Sequence, residues 1–327
     1  TFTKIATGVM RIAGVMNNEH IVPSANNMEM LWVDPGTFTM GSPVKEVGRT
    51  TWETEHNVTL TRGFFLGKYE VTQAEYQAVM TGNTKGLSAT PSQYNGNPDR
   101  PVEKVSWDDI QIFLDRLNSQ ESNNTAAGWE YALPTEAEWE YACRANTTTA
   151  YFWGNSISAS NGNYGHNIGQ TQNIGQYTAN SWGFYDMHGN IWEWVADWYQ
   201  SNAPSGNPVI DPVGPNLSSN KILRGGAWDA YNPSNLRSAR RSNLTPTFRS
   251  HALGFRLALR QISLPPTDLN STAPLTIAEN QPISSIVGDF NATDPDTNAT
   301  LTYHLVSGVG DDNNSLFTME SNGSLKT

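Results

Sequence analysis

Residues 133–142 read Leu133-Pro134-Thr135-Glu136-Ala137-Glu138-Trp139-Glu140-Tyr141-Ala142. A proline followed by a hydroxyl residue marks a helix start, and Thr135 with Glu138 forms the reciprocal pair in which each side chain satisfies the other's backbone N–H. Ala137, Trp139, Tyr141 and Ala142 then give this short helix an apolar face. The same start recurs upstream. Thr72 with Glu75 precedes Tyr76, Val79 and Met80, and Ser106 with Asp109 precedes Ile110, Phe113, Leu114 and Leu117 at helical spacing. Around these starts lie short alternating apolar pieces such as Phe64-Phe65-Leu66-Gly67-Lys68-Tyr69, separated by Gly, Asn and Pro. Their connections are longer than ordinary loops. Three short helices among many long turns predict an irregular, loop-rich α+β fold.

The 327 residues carry 31 acidic and 20 basic side chains, a formal charge of −11. That length accommodates two domains, or one large domain with an appendage. The acidic balance repels phosphate backbones and anionic lipid, so neither nucleic acid nor a membrane surface is expected as partner, whereas cations are. A single cysteine, Cys143, excludes an intrachain disulfide, a zinc site built on cysteine clusters and any two-thiol mechanism. Following Tyr141-Ala142 on the predicted helix, it reads as a small buried hydrophobe. No apolar run reaches the roughly 18 residues of a membrane span, so no membrane insertion is expected. The start Thr-Phe-Thr-Lys has neither an initiator Met nor a signal pattern, which suggests a processed or excerpted piece. Charged residues make up 16%, Asn, Thr, Ser and Gly abound, and there are 11 tryptophans, a composition that favours an extracellular or cell-surface protein.

Composition changes near residue 262. There Leu264-Pro265-Pro266-Thr267 opens a stretch rich in Asp, Asn, Ser and Thr without Trp or Cys, and a Pro-Pro pair at such a shift marks a domain boundary. The expected division is residues 1–27 as an N-terminal extension, 28–262 as the main domain and 263–327 as a second piece.

Within the main domain several blocks follow one another: Met40-Gly41-Ser42, Tyr69-Glu70-Val71-Thr72-Gln73, Arg100-Pro101-Val102 leading to Val105-Ser106-Trp107, and then the 133–142 stretch. After these come Gly183-Phe184-Tyr185-Asp186-Met187-His188-Gly189-Asn190-Ile191-Trp192-Glu193-Trp194, Arg224-Gly225-Gly226-Ala227-Trp228 and Gly254-Phe255-Arg256-Leu257. In this order, over about residues 28–260, they resemble the formylglycine-generating enzyme, or sulfatase-modifying factor, family. The resemblance implies an irregular C-type-lectin-like fold. Enzymes of that family oxidise a cysteine of a sulfatase peptide to formylglycine with molecular oxygen and a copper ion held by two cysteines, which lie between the last two blocks. Here that segment, from Asp229 to Arg241, contains no thiol. Copper(I) is soft and requires thiolates, so neither copper nor the oxidase activity is expected. The family's sulfoxide synthases use histidine-ligated iron through a His-x-x-x-His-x-Glu cluster, and none of His20, His56, His166, His188, His251 and His304 sits in one.

Residues 227–249 also resemble the variable proteins of diversity-generating retroelements, in which Asn, Tyr and Ser positions contact ligand. On that resemblance Asp229, Tyr231, Asn232, Asn235 and Arg237 are the candidate ligand-binding residues. An enzyme with altered, thiol-independent chemistry near Trp228 and Arg237 is the alternative. Family resemblance further implies calcium at the 189–194 block, with Asn190 and Glu193 as side-chain ligands. Arg224, Arg237, Arg240, Arg241, Arg249 and Arg256 are open to two readings: an acidic-glycan site, or internal pairing with carboxylates.

The tail resembles the start of a bacterial cadherin-like repeat, which implies a β-sandwich segment with calcium on Glu279, Asp294 and Asp296. Carboxylates at alternate positions of an extended segment face one side and can share a cation. About 60 residues fall short of the roughly 100 of such a sandwich. Either the polypeptide continues or a partner supplies strands, with Thr1–Val15 as a candidate donor strand. Together these readings predict a non-catalytic surface module for adhesion, assembly of an extracellular structure, or binding of a glycan or surface protein, with self-association or further domains.

Overall fold

In the computed structural model, which describes residues 2–6, 9–12, 19–201, 208–262, 267–271, 282–293, 303, 316–320 and 324–326, the three helices begin where the cap pairs place them. They are α1 (Gln73–Met80), α2 (Trp107–Gln120) and α3 (Glu136–Arg144). Thr72, Ser106 and Thr135 each accept a hydrogen bond from the N–H three residues on, and the carboxylates of Glu75, Asp109 and Glu138 each accept one from the cap N–H. The predicted apolar faces are buried, and Tyr76 of α1 stacks on Phe113 of α2 at 5.3 Å.

The strands are short. A five-stranded antiparallel sheet has the order β3 (Glu19–Val22), β4 (Met28–Val33), β7 (Phe64–Gly67), β14 (Ala258–Gln261), β8 (Trp129–Ala132). A four-stranded sheet runs β12 (Ser242–Leu244), β11 (Lys221–Arg224), β9 (Trp192–Trp198), β13 (Leu253–Gly254), and a third joins β10 (Val209–Ile210), β6 (His56–Leu60) and β5 (Gly36–Met40). The central strand β7 does not alternate between buried and exposed: all four residues are buried. Its sheet is covered on both faces, so successive side chains enter two different cores. Phe65 joins Met30, Tyr76, Phe113 and Leu259, whereas Phe64 and Leu66 join Leu31, Trp139 and Ala258.

The chain divides into two compact units, Thr1–Gln261 and Ile262–Thr327. One expectation for the N-terminal segment is corrected: strand β3 lies before residue 28 yet forms an edge of the five-stranded sheet. Strand β1 (Phe2–Ala6) pairs with β2 (Val9–Ile12). In the second unit the described strands form one antiparallel sheet, β15 (Thr267–Ser271), β16 (Ile286–Thr293), β18 (Ser324–Lys326), β17 (Thr318–Met319). Glu279, Asp294 and Asp296 lie outside the described residues. Among the described residues no helix is long and apolar enough to cross a membrane.

Candidate functional site

The chain leaves β11 through Gly225 and Gly226, both at positive φ (92° and 79°). A Cβ on Gly226 would lie 2.8 Å from Leu236 Cγ, so glycine is what allows segment 227–236 to fold back on itself. The Trp228 N–H donates to Asn190 O at 3.0 Å, and the His166 N–H donates to Trp228 O at 2.8 Å. That second bond holds His166 at φ 58°, a left-handed conformation uncommon outside glycine.

These bonds place Trp228, only 4% exposed, at the centre of a ring cluster. His166, His251 and Tyr94 surround it with centroids at 4.9, 5.3 and 5.4 Å. Tyr231, 80% exposed, leans over His166 at 4.5 Å, and His251 Nε2 lies 3.6 Å from Asp229 Oδ2. Asp229 and Tyr231 thus border one surface patch. Asn232 points elsewhere, its Oδ1 accepting from the Ser234 N–H to cap the 3-10 turn Pro233–Leu236, and Asn235, within that turn, is half-buried. The patch draws on residues far apart in sequence. Tyr94, His166 and His251 carry no local signature, because the fold alone brings them to Trp228.

Arg237 departs from expectation. It is 1% exposed, and its guanidinium is held by Glu53 and Glu46, with Gly48 O accepting a further bond at 2.7 Å. A buried cation requires that counter-charge, so the group is committed inward and does not face a ligand on the ring patch. The other arginines favour internal pairing too: Arg224 with Glu140, Arg241 with Glu136, Arg249 with Asp109 and Arg256 with Glu193. Among the described residues Arg240 alone of the six makes no ion pair.

Asn190 and Glu193, read as calcium ligands, also have other partners. Both Glu193 oxygens accept from Arg256 at 2.7 Å, and Oε2 accepts from Trp139 Nε1 as well. The Asn190 amide donates to Glu70 Oε2 at 2.6 Å, and its Oδ1 accepts from the Gln172 N–H at 2.9 Å. Burial, then the neighbouring charges of Asp186 and Glu193, push the Glu70 carboxyl well above the usual range, and burial lifts Asp186 to about 6. Arg256 is thus the cation at this centre. Among the described residues no three His, Cys, Asp or Glu side chains are arranged to hold a metal ion. The arrangement does not fit a calcium ion held by the Asn190 and Glu193 side chains.

Nor do the residues present fit a copper thiolate centre. Cys143 is fully buried, with Sγ 3.9 Å from Met187 O and 3.7 Å from His188 Nε2, and burial pushes the thiol up to about 12. His188, its pKa lowered by burial to about 4, is neutral, with Nδ1 2.6 Å from Leu236 O. Both groups are core.

Residues 18–261 match the model of the sulfatase-modifying factor enzyme 1-like domain. The chain belongs to that family. The match begins before residue 28 and so takes in β3, as the sheet does. The formylglycine-generating enzyme of Streptomyces coelicolor is 34% identical over 51% of this chain and 55% of its own length. The chain spans about half the length of the curated relatives it matches first. Two solved structures share the sulfatase-modifying-factor fold. Treponema denticola variable protein 1 is 27% identical with a TM-score of 0.62, covering 71% of this chain and 95% of that one. PvdO from Pseudomonas aeruginosa is 30% identical with a TM-score of 0.61, covering 72% and 95%.

Proposed function

We propose that the chain is a non-catalytic binding module on a sulfatase-modifying-factor scaffold, and that its ligand, a glycan or a surface protein, docks on the rings of Tyr231, His166, His251 and Tyr94 around Trp228. The observation that carries this reading is the thiol-free segment Asp229–Arg241, which presents an exposed tyrosine beside a Trp-His-His cluster; the family resemblance puts the copper cysteines in this same segment. The tyrosine and tryptophan rings offer large contact area at low entropic cost, which suits recognition. Likeness to the Treponema variable protein supports the same reading. An extracellular setting, self-association or further domains, and calcium on Glu279, Asp294 and Asp296 belong to this proposal and draw on composition and the tail's resemblance.

A glycan and surface-protein array probed with the purified chain tests it. Saturable binding that Tyr231→Ala weakens by roughly 30-fold, the loss of about 2 kcal/mol typical of an exposed aromatic anchor, is expected. Binding indifferent to Tyr231 and to His251→Ala would overturn the assignment of this face.

A further inference from the structure

On the other side of the 3-10 turn lies a cleft of about 780 Å³, to which neither Trp228 nor Tyr231 contributes. We propose that this cleft is a separate binding site, for a saccharide that carries a carboxylate. Its size lies within the roughly 300–1,000 Å³ of small-molecule sites and exceeds what ordered water alone requires. One wall is the loop around Gly48, another the turn at Asn232 and Ser234, and a third the stretch that includes Asn155 and Ser156. Gly48, at φ 79°, permits the close approach: a Cβ there would lie 2.3 Å from Ser234 Cβ.

The chemistry of the lining selects the ligand. Arg237 forms part of the lining, and its Nε is buried without a hydrogen-bond partner although its terminal nitrogens are saturated. Asn155 and Asn232 each spend their Oδ1 on a backbone N–H, of Ala150 at 3.1 Å and of Ser234 at 3.0 Å. Each therefore keeps an NH₂ group for a ligand. The hydroxyls of Ser156 and Ser234 and the exposed ammonium of Lys45 have no partner within the described residues either. Amide donors and hydroxyls able to both give and accept match the alternating hydroxyls of a sugar. The Glu46 carboxylate is turned inward onto Arg237, which it shares with Glu53, whereas the Lys45 ammonium is exposed and makes no ion pair among the described residues, so it is the charge that meets a ligand and favours a carboxylate there.

Calorimetric titration of the full chain at low salt tests this with a glucuronate-containing disaccharide, cellobiose as its neutral counterpart and acetate as the bare carboxylate. The glucuronate disaccharide should bind at least tenfold more tightly than cellobiose, and acetate should give no saturable signal. Asn155→Asp and Asn232→Asp retain the acceptor each turn needs, so melting should be unchanged while affinity falls at least tenfold. Lys45→Glu should remove the preference for the acid. Equal affinity for all three probes, no binding by any of them, or Asn155→Asp and Asn232→Asp variants that bind normally would each overturn the proposal. Tyr231→Ala should leave this affinity intact. Were it to abolish binding while the Asn155 variant bound normally, the sugar would sit on the ring patch, which overturns this inference and leaves the first reading standing.

Discussion

Arg256 and Glu193 show what a single residue does in this molecule. Both side chains are completely buried and meet through two bonds of 2.7 Å, with Trp139 Nε1 donating to the same carboxylate. Removing one partner leaves a desolvated charge alone, so Arg256→Ala should lower unfolding free energy by about 3–5 kcal/mol in denaturant titration, whereas replacing both with apolar residues of similar volume should recover most of it. A loss under 1 kcal/mol for the single variant would show that the pair is hydrated. A second residue-scale prediction concerns Asp197, whose carboxyl burial, and then the charge of Glu136, raise from 3.8 to about 7. For an acid whose pKa is raised on folding, the protonated form is the one the fold favours. Its contribution is complete below about pH 4 and is lost as pH rises through about 7. Asn mimics the protonated acid, so Asp197→Asn should gain on the wild type by about 1 kcal/mol or more between pH 4 and 7, read from melting across that range. A constant difference would contradict this. At this scale the sequence shows the six arginines grouped between Arg224 and Arg256 but not their partners. Arg256 and Glu193 lie 63 positions apart, and only the fold separates a binding cluster from a set of internal ion pairs.

At the scale of elements, what could be read is what is local. A capping box is written within four residues, so all three helix starts were legible from Thr72, Ser106 and Thr135 with their acidic partners. Thr135→Ala removes the acceptor for the Glu138 N–H, 3.1 Å away, and should cost about 1 kcal/mol in urea unfolding, with Thr135→Ser costing far less. Equal losses for the two would mean that the methyl, not the hydroxyl, matters. Strand order was not legible, because β7 lies between β4 and β14, strands from opposite ends of the unit. Burial on both faces also removes the period-2 signal from Phe64–Gly67, which makes a central strand resemble any short apolar run. The loop 225–236 was legible as thiol-free but not as half of a ring patch, since His166 and Tyr94 approach Trp228 from distant loops.

For the molecule as a whole, every residue of the four buried clusters found among the described residues falls between Val22 and Leu259. A chain ending at Ile262 should therefore retain one cooperative melting transition, and loss of that transition would mean that the tail is needed for the first unit to fold. The family's scaffold is present, and its order of blocks made that legible; its two-thiol chemistry is not supported, which follows from a cysteine count of one. The central claim is that this scaffold binds rather than oxidises. Its most direct test is oxygen consumption by the copper-supplemented protein with a cysteine-containing sulfatase peptide, followed by mass analysis of the peptide. We expect no peptide-dependent oxygen uptake and an unchanged cysteine, whereas conversion of that cysteine to the aldehyde would contradict the account.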